Sequence, residues 1–107
     1  MTETRASETI GFIGLGNMGL PMCLNLVDAG YDVVALDLRP EPVAEVVAAG
    51  GRTADDVAAV AAEADILLTS LPRPDHVDGV MRTGGALTAL RPGSVWADLT
   101  TNRREFV

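Results

Sequence analysis

The sequence predicts an α/β fold, a doubly wound parallel sheet covered by helices on both faces. Three observations predict it. Short apolar runs without clean polar alternation recur along the chain, as expected of strands buried on both sides. Between them lie stretches with apolar residues at helical spacing. The two patterns alternate as βαβαβαβαβ, which one sheet accommodates with right-handed crossovers. The expected strand order is 3-2-1-4-5, with the fifth strand at one edge.

The elements follow in order. Residues 1–8, MTETRASE, are a polar lead-in. TIGFIG (9–14) is a strand rich in Ile and Phe and closed by glycine. Residues 17–29 predict a helix with Met18, Met22, Leu26 and Ala29 on one stripe; Pro21 fits its first turn, and Gly30 suits the left-handed residue that stops it. YDVVALD (31–37) is the second strand. PEPVAEVVAAG (40–50) predicts a helix with Val43, Val46 and Val47 on one face and Gly50 as its stop. GRT (51–53) leaves room for a very short third strand. Thr53 and Asp56 have capping-box spacing, and Val57, Val60 and Ala61 would face inward. ADILLTS (64–70) is the fourth strand, PDHVDGVM (74–81) a shorter helix, and Ser94–Leu99 the fifth strand.

Composition bounds the chemistry. A chain of 107 residues supports one domain with a modest core. Aromatics are 4% of the chain, so that core must be built from Val, Leu, Ile and Ala. The net charge of -7 argues against a nucleic-acid or anionic-membrane partner. All basic residues are arginine; lysine is absent. The single cysteine, Cys23, lies in an apolar helical stretch and reads as a packing residue. No run approaches the ~18 apolar residues that span a bilayer. The expectation is a soluble protein of a reducing, cytoplasmic compartment.

The chemistry-bearing motif is GLGNMG, with Gly14, Gly16 and Gly19 spaced as G-x-G-x-x-G. Alone it is a weak signal. Here it follows a strand, opens a helix and starts the first βαβ unit. Gly14 permits the tight turn, Gly16 lets a pyrophosphate approach the backbone, and Gly19 lets helix and strand pack closely. The helix N-terminus offers unpaired N–H groups and a partial positive charge, which suit a diphosphate without any basic side chain. Asp37 ends the second strand, 37 − 19 = 18 residues after the last glycine. A carboxylate there accepts hydrogen bonds from the adenosine ribose and repels a 2′-phosphate, which favours NAD over NADP. Arg39 can swing over the adenine or pair with a 2′-phosphate, so NADP stays open.

GFIGLGNMGLPMCLNL closely resembles the opening of the β-hydroxyacid dehydrogenases, the family of 3-hydroxyisobutyrate and 6-phosphogluconate dehydrogenases. TSLPRPDHVDGVM (69–81) is similar to the family's segment after the fourth strand, and ADLTT (97–101) to its D-x-S-T substrate loop. The resemblance covers nearly the whole chain. It implies a Rossmann fold in which Gly14, Leu15, Gly16, Asn17, Met18 and Gly19 wrap the pyrophosphate. It further implies that Asp37 and Arg39 hold the adenosine ribose, and that Leu71 and Pro72 cover the ribose and adenine side. His76 falls near a cofactor-contacting position, Thr101 approaches the nicotinamide, and Thr100 faces the substrate carboxylate. Arg104 stands where the family usually has proline, which departs from the pattern of the familiar substrates. Read by themselves, His76 is a surface residue, Asp98 orders the loop, and Trp96 belongs to the core or to a face meant for another element.

In the family a lysine on a later helix is the general acid/base, and this chain has none. The expectation is therefore the NAD(P)-binding portion of an oxidoreductase acting on a small β-hydroxy acid or its semialdehyde. Residues 1–107 form its dinucleotide-binding domain without the helical substrate domain, and alone they are expected to be inactive. A non-catalytic dinucleotide-binding or redox-sensing module, an inactive fragment, and an imine reductase cofactor domain are the alternatives. No metal site is expected. The exposed fifth strand predicts self-association.

Overall fold

A computed structural model describes residues 8–71 and 74–99. The strands are β1 (Thr9–Ile13), β2 (Asp32–Leu36), β3 (Arg52–Thr53), β4 (Ile66–Thr69) and β5 (Val95–Asp98). The helices are α1 (Gly19–Asp28), α2 (Pro40–Ala49), α3 (Val57–Glu63), α4 (Pro74–Asp78) and α5 (Ala86–Ala89). All strand pairs are parallel, in the order β3-β2-β1-β4-β5. The expected topology is thus the one adopted.

The core divides by the alternation of side chains along the central strands. Ile10, Phe12, Val33 and Ala35 point to one face and pack with Cys23 of α1 and Val46 of α2. Ile13, Val34 and Leu67 point to the other and pack with Val60 and Ala61 of α3, Met81 and Ala86. Gly11 sits on this second face. A Cβ there would lie 2.8 Å from Val60 Cγ1 and 3.0 Å from Leu67 Cδ1, so the absent side chain lets α3 settle on β1.

Several local expectations are corrected. The buried line of α1 is Gly19 and Cys23, flanked by Leu20, Leu24 and Val27, while Met18, Met22 and Ala29 are exposed. The cause is the close approach of Gly19 to β1, which turns the methionine stripe outward. Val47 of α2 is likewise exposed. Thr53 does not cap α3. It is held in the sheet opposite Ala35, and Asp56 caps instead, its carboxylate accepting the Ala59 N–H at 2.8 Å. The helix expected over 74–81 is α4 running into a stretch of π-helix, Gly79–Thr83, closed by Gly84 N–H donating to the Gly79 carbonyl at 2.8 Å. Helix α5 was not expected at all. Its four residues are too few to show a period; burial of Ala86, with Ala89 packed on the same core, holds them.

At the end of the sheet where the strands begin, arginines tie the elements together. Arg52 pairs with Asp32 at 2.9 Å and Glu63 at 2.9 Å, and Arg91 pairs with Asp65 at 2.8 Å. These exposed pairs contribute little stability each. They leave the opposite end, where the strands finish, for the site.

Candidate functional site

The loop between β1 and α1 leaves the sheet beside the point where strand order reverses, between β1 and β4. This is the crevice in which open α/β sheets bind ligands. Gly14 has φ +101°, a left-handed conformation that side chains rarely adopt. Its N–H donates to the Leu36 carbonyl at 3.0 Å, and a Cβ on it would collide with the Ser70 carbonyl. A Cβ on Gly19 would collide with the Gly14 carbonyl and come within 3.3 Å of the Phe12 ring. Gly16 differs from both: nothing lies within 4 Å of a Cβ built there. Gly14 and Gly19 are thus required by the protein's own backbone, whereas the space at Gly16 opens into the groove.

That groove has a volume of about 390 Å³ and lies between the first turns of α1 and α2. Leu15, Gly16, Asn17, Leu20 and Pro21 form one wall; Arg39, Glu41, Pro42 and Glu45 form the other. Among the described residues, the N–H groups of Gly16, Asn17 and Met18 have no acceptor, and the first amide with a helical partner is that of Leu20, bonded to the Gly16 carbonyl at 3.0 Å. Free amides at a helix start suit an anion.

Asp37 follows β2 and bridges Leu15 and Arg39, two residues that line the groove. Oδ2 accepts the Leu15 N–H at 2.6 Å. Oδ1 accepts the Arg39 N–H at 2.8 Å and the Arg39 Nε–H at 3.3 Å. Burial by itself raises the carboxyl's pKa. The amides of Arg39 and Leu15 and the Arg39 guanidinium outweigh it and hold the group below the usual carboxylate range. Oδ2 keeps a second lone-pair direction for a further donor. Arg39 Nη2 reaches across and donates to the Leu15 carbonyl at 3.0 Å.

The other expected residues fall elsewhere. Leu71 follows β4 and packs on the core beside Gly14. His76 is exposed on α4 and does not line the groove. Pro72, Thr100 and Thr101 lie outside the described residues. Asp98 ends β5, and its Oδ1 accepts the hydroxyl of buried Thr69 at 2.9 Å. Thr69 Oγ1 in turn accepts the Trp96 Nε1–H at 3.1 Å, and the Thr69 carbonyl accepts the Leu99 N–H at 2.6 Å. Asp98 is therefore anchored to β4 at the start of the ADLTT loop. Sequence reasoning missed Glu41, Pro42 and Glu45. The signal was present: β1 and β2 are adjacent and parallel, so the first turn of α2 must face the first turn of α1.

Residues 9–105 match the family model described as the NAD binding domain of 6-phosphogluconate dehydrogenase. The chain belongs to this family of NAD-binding domains. It is 46% identical over 96 residues to 2-(hydroxymethyl)glutarate dehydrogenase of Eubacterium barkeri, covering 89% of this chain and 32% of that protein. Among solved structures it resembles the 3-hydroxyisobutyrate dehydrogenase of Mycobacterium tuberculosis with L-serine. There the TM-score is 0.81 at 37% identity, over 88% of this chain and 32% of the other. It also resembles an imine reductase of Streptomyces aurantiacus, with a TM-score of 0.79 at 28% identity over 92% of this chain and 34% of that one. The chain thus spans about a third of the length of these relatives. Among the described residues no helix is long and apolar enough to cross a membrane.

The site fits the dinucleotide that this family binds. Gly16 leaves open space where a side chain would stand, three adjacent amides are free, and a carboxylate with a spare lone pair is bonded to the same loop.

Proposed function

We propose that these 107 residues are the cofactor-binding portion of an NAD-dependent dehydrogenase acting on a small β-hydroxy acid or its semialdehyde. The observation that carries the reading is the set of free Gly16, Asn17 and Met18 amides in a loop that Asp37 itself holds through Leu15. When bound, the nicotinamide supplies a hydride acceptor at its C4. The chain's own part is to bind and orient. The loop amides take the diphosphate, and Asp37 Oδ2 accepts from the adenosine ribose. Leu71 and Pro72 cover the ribose and adenine side, and His76 stands near the cofactor. Thr101 meets the nicotinamide, and Thr100, beyond the anchored Asp98, meets the substrate carboxylate. Asp37 is already paired with the Arg39 guanidinium, and Glu41 and Glu45 line the same groove, so the negative charge there disfavours a 2′-phosphate and supports NAD over NADP.

The chain has no lysine, so the general acid/base expected for the hydroxyl is not supplied by these residues. A cytoplasmic, reducing setting accords with the buried free thiol of Cys23. The likeness to an imine reductase supports a second reading, cofactor binding for imine reduction. The 46% identity to a hydroxyacid dehydrogenase favours the first. Self-association belongs to the same proposal: β5 is an edge strand on which Val95 is 57% and Trp96 39% exposed.

Calorimetric titration of the purified chain with NAD and NADP is the test. NAD is expected to bind more tightly than NADP, and no NADH is expected on adding 3-hydroxyisobutyrate. Absence of NAD binding overturns the reading.

A further inference from the structure

We infer that Asp37 and Arg39 are positioning residues for the glycine loop, a two-sided clamp on the backbone of Leu15. The inference rests on the NAD-binding reading and extends it. The Leu15 N–H is held by Asp37 Oδ2 at 2.6 Å, and the Leu15 carbonyl is held by Arg39 Nη2 at 3.0 Å. The two clamping side chains are also bonded to each other, through Arg39 Nε–H and Asp37 Oδ1 at 3.3 Å. The Leu15 side chain is buried beneath, so this residue is fixed on every side. Its amide is therefore already engaged by Asp37. The free amides are the next three, Gly16, Asn17 and Met18, and the Gly16 N–H shares its peptide plane with the Leu15 carbonyl that Arg39 holds.

A clamp has consequences that a ribose contact alone lacks. The loop's geometry is set before ligand arrives, which lowers the ordering cost of binding. Both clamp residues come from the turn after β2, so the second βαβ strand shapes a loop that belongs to the first. Arg39 then supports NAD binding although NAD carries no 2′-phosphate. A residue whose role is only to pair with a 2′-phosphate has no effect there.

Amide hydrogen exchange of the ligand-free 107-residue chain reads the clamp directly. The variants are Asp37→Asn, which keeps the shape, and Arg39→Met, which keeps the aliphatic stem at an exposed position. Exchange at Leu15 is expected to quicken on the order of tenfold in each, with Phe12 of β1 unchanged as the report on folding. NAD affinity of Arg39→Met is expected to fall roughly 3–10-fold. Unchanged exchange at Leu15 in both variants overturns the clamp. Because exchange is read without ligand, that failure is distinct from failure of the wild type to bind NAD, which overturns the functional reading instead.

Discussion

Two glycines of the same motif are expected to fail in opposite ways when substituted. At Gly16 a side chain meets nothing within 4 Å, and the backbone is not left-handed. Gly16→Val therefore costs little stability, within about 0.5 kcal/mol as for an unencumbered surface change. Its methyl groups, however, project into the groove where the diphosphate is proposed to lie. Losing two charge-assisted amide contacts at about 1.5–3 kcal/mol each removes at least ~3 kcal/mol, or roughly 100-fold in affinity. At Gly14 the order reverses. Its φ of +101° costs a side chain about 1–2 kcal/mol, and the collision with Ser70 adds about 1–3 kcal/mol of overpacking. For a domain of this size 1 kcal/mol corresponds to ~4–8 °C in Tm, so Gly14→Ala is expected to lose more than ~8 °C. Calorimetric titration with NAD and thermal unfolding by circular dichroism, run on both variants, separate the two. A Gly16→Val protein that binds NAD like the wild type refutes the groove as the diphosphate site. One that melts as early as Gly14→Ala refutes the space seen around Gly16.

Asp37→Asn removes a carboxylate and frees Arg39, so the NADP-to-NAD affinity ratio is expected to rise by about 1–2 kcal/mol; a wild type that already prefers NADP refutes this. The depressed pKa of Asp37 means its contribution is present above the unfolded value of about 3.9 and is lost as pH falls through the lower folded value. NAD binding is thus expected to hold at pH 5 and above, as a titration across about pH 3–7 will check. The Cys23 thiol is pushed up to about 11 by burial, so a thiol reagent at neutral pH should label it only on unfolding; rapid labelling of the native chain contradicts its packing under α1. Sedimentation over a wide concentration range tests pairing through β5, with a concentration-independent monomer as the refuting result.

The sequence by itself determined the fold class, the strand order and the place of the glycine loop. The reason is that period and punctuation are local. Unbroken apolar runs such as VVAL, and glycines at 14, 30 and 50 that stand where the chain turns with positive φ, carry their meaning without neighbours. Tertiary structure alone decided which side of α1 is buried, because the methionine stripe and the Gly19–Cys23 line are equally helical in spacing. Only the contact of Gly19 with Gly14 and Phe12 chooses between them. It also decided that Asp56 rather than Thr53 caps α3, since sheet pairing holds Thr53. Most of all it decided the work of Asp37. Spacing placed an acid at the end of the second strand, but a hydrogen bond to Leu15, 22 residues away in sequence, exists only because β1 and β2 lie side by side.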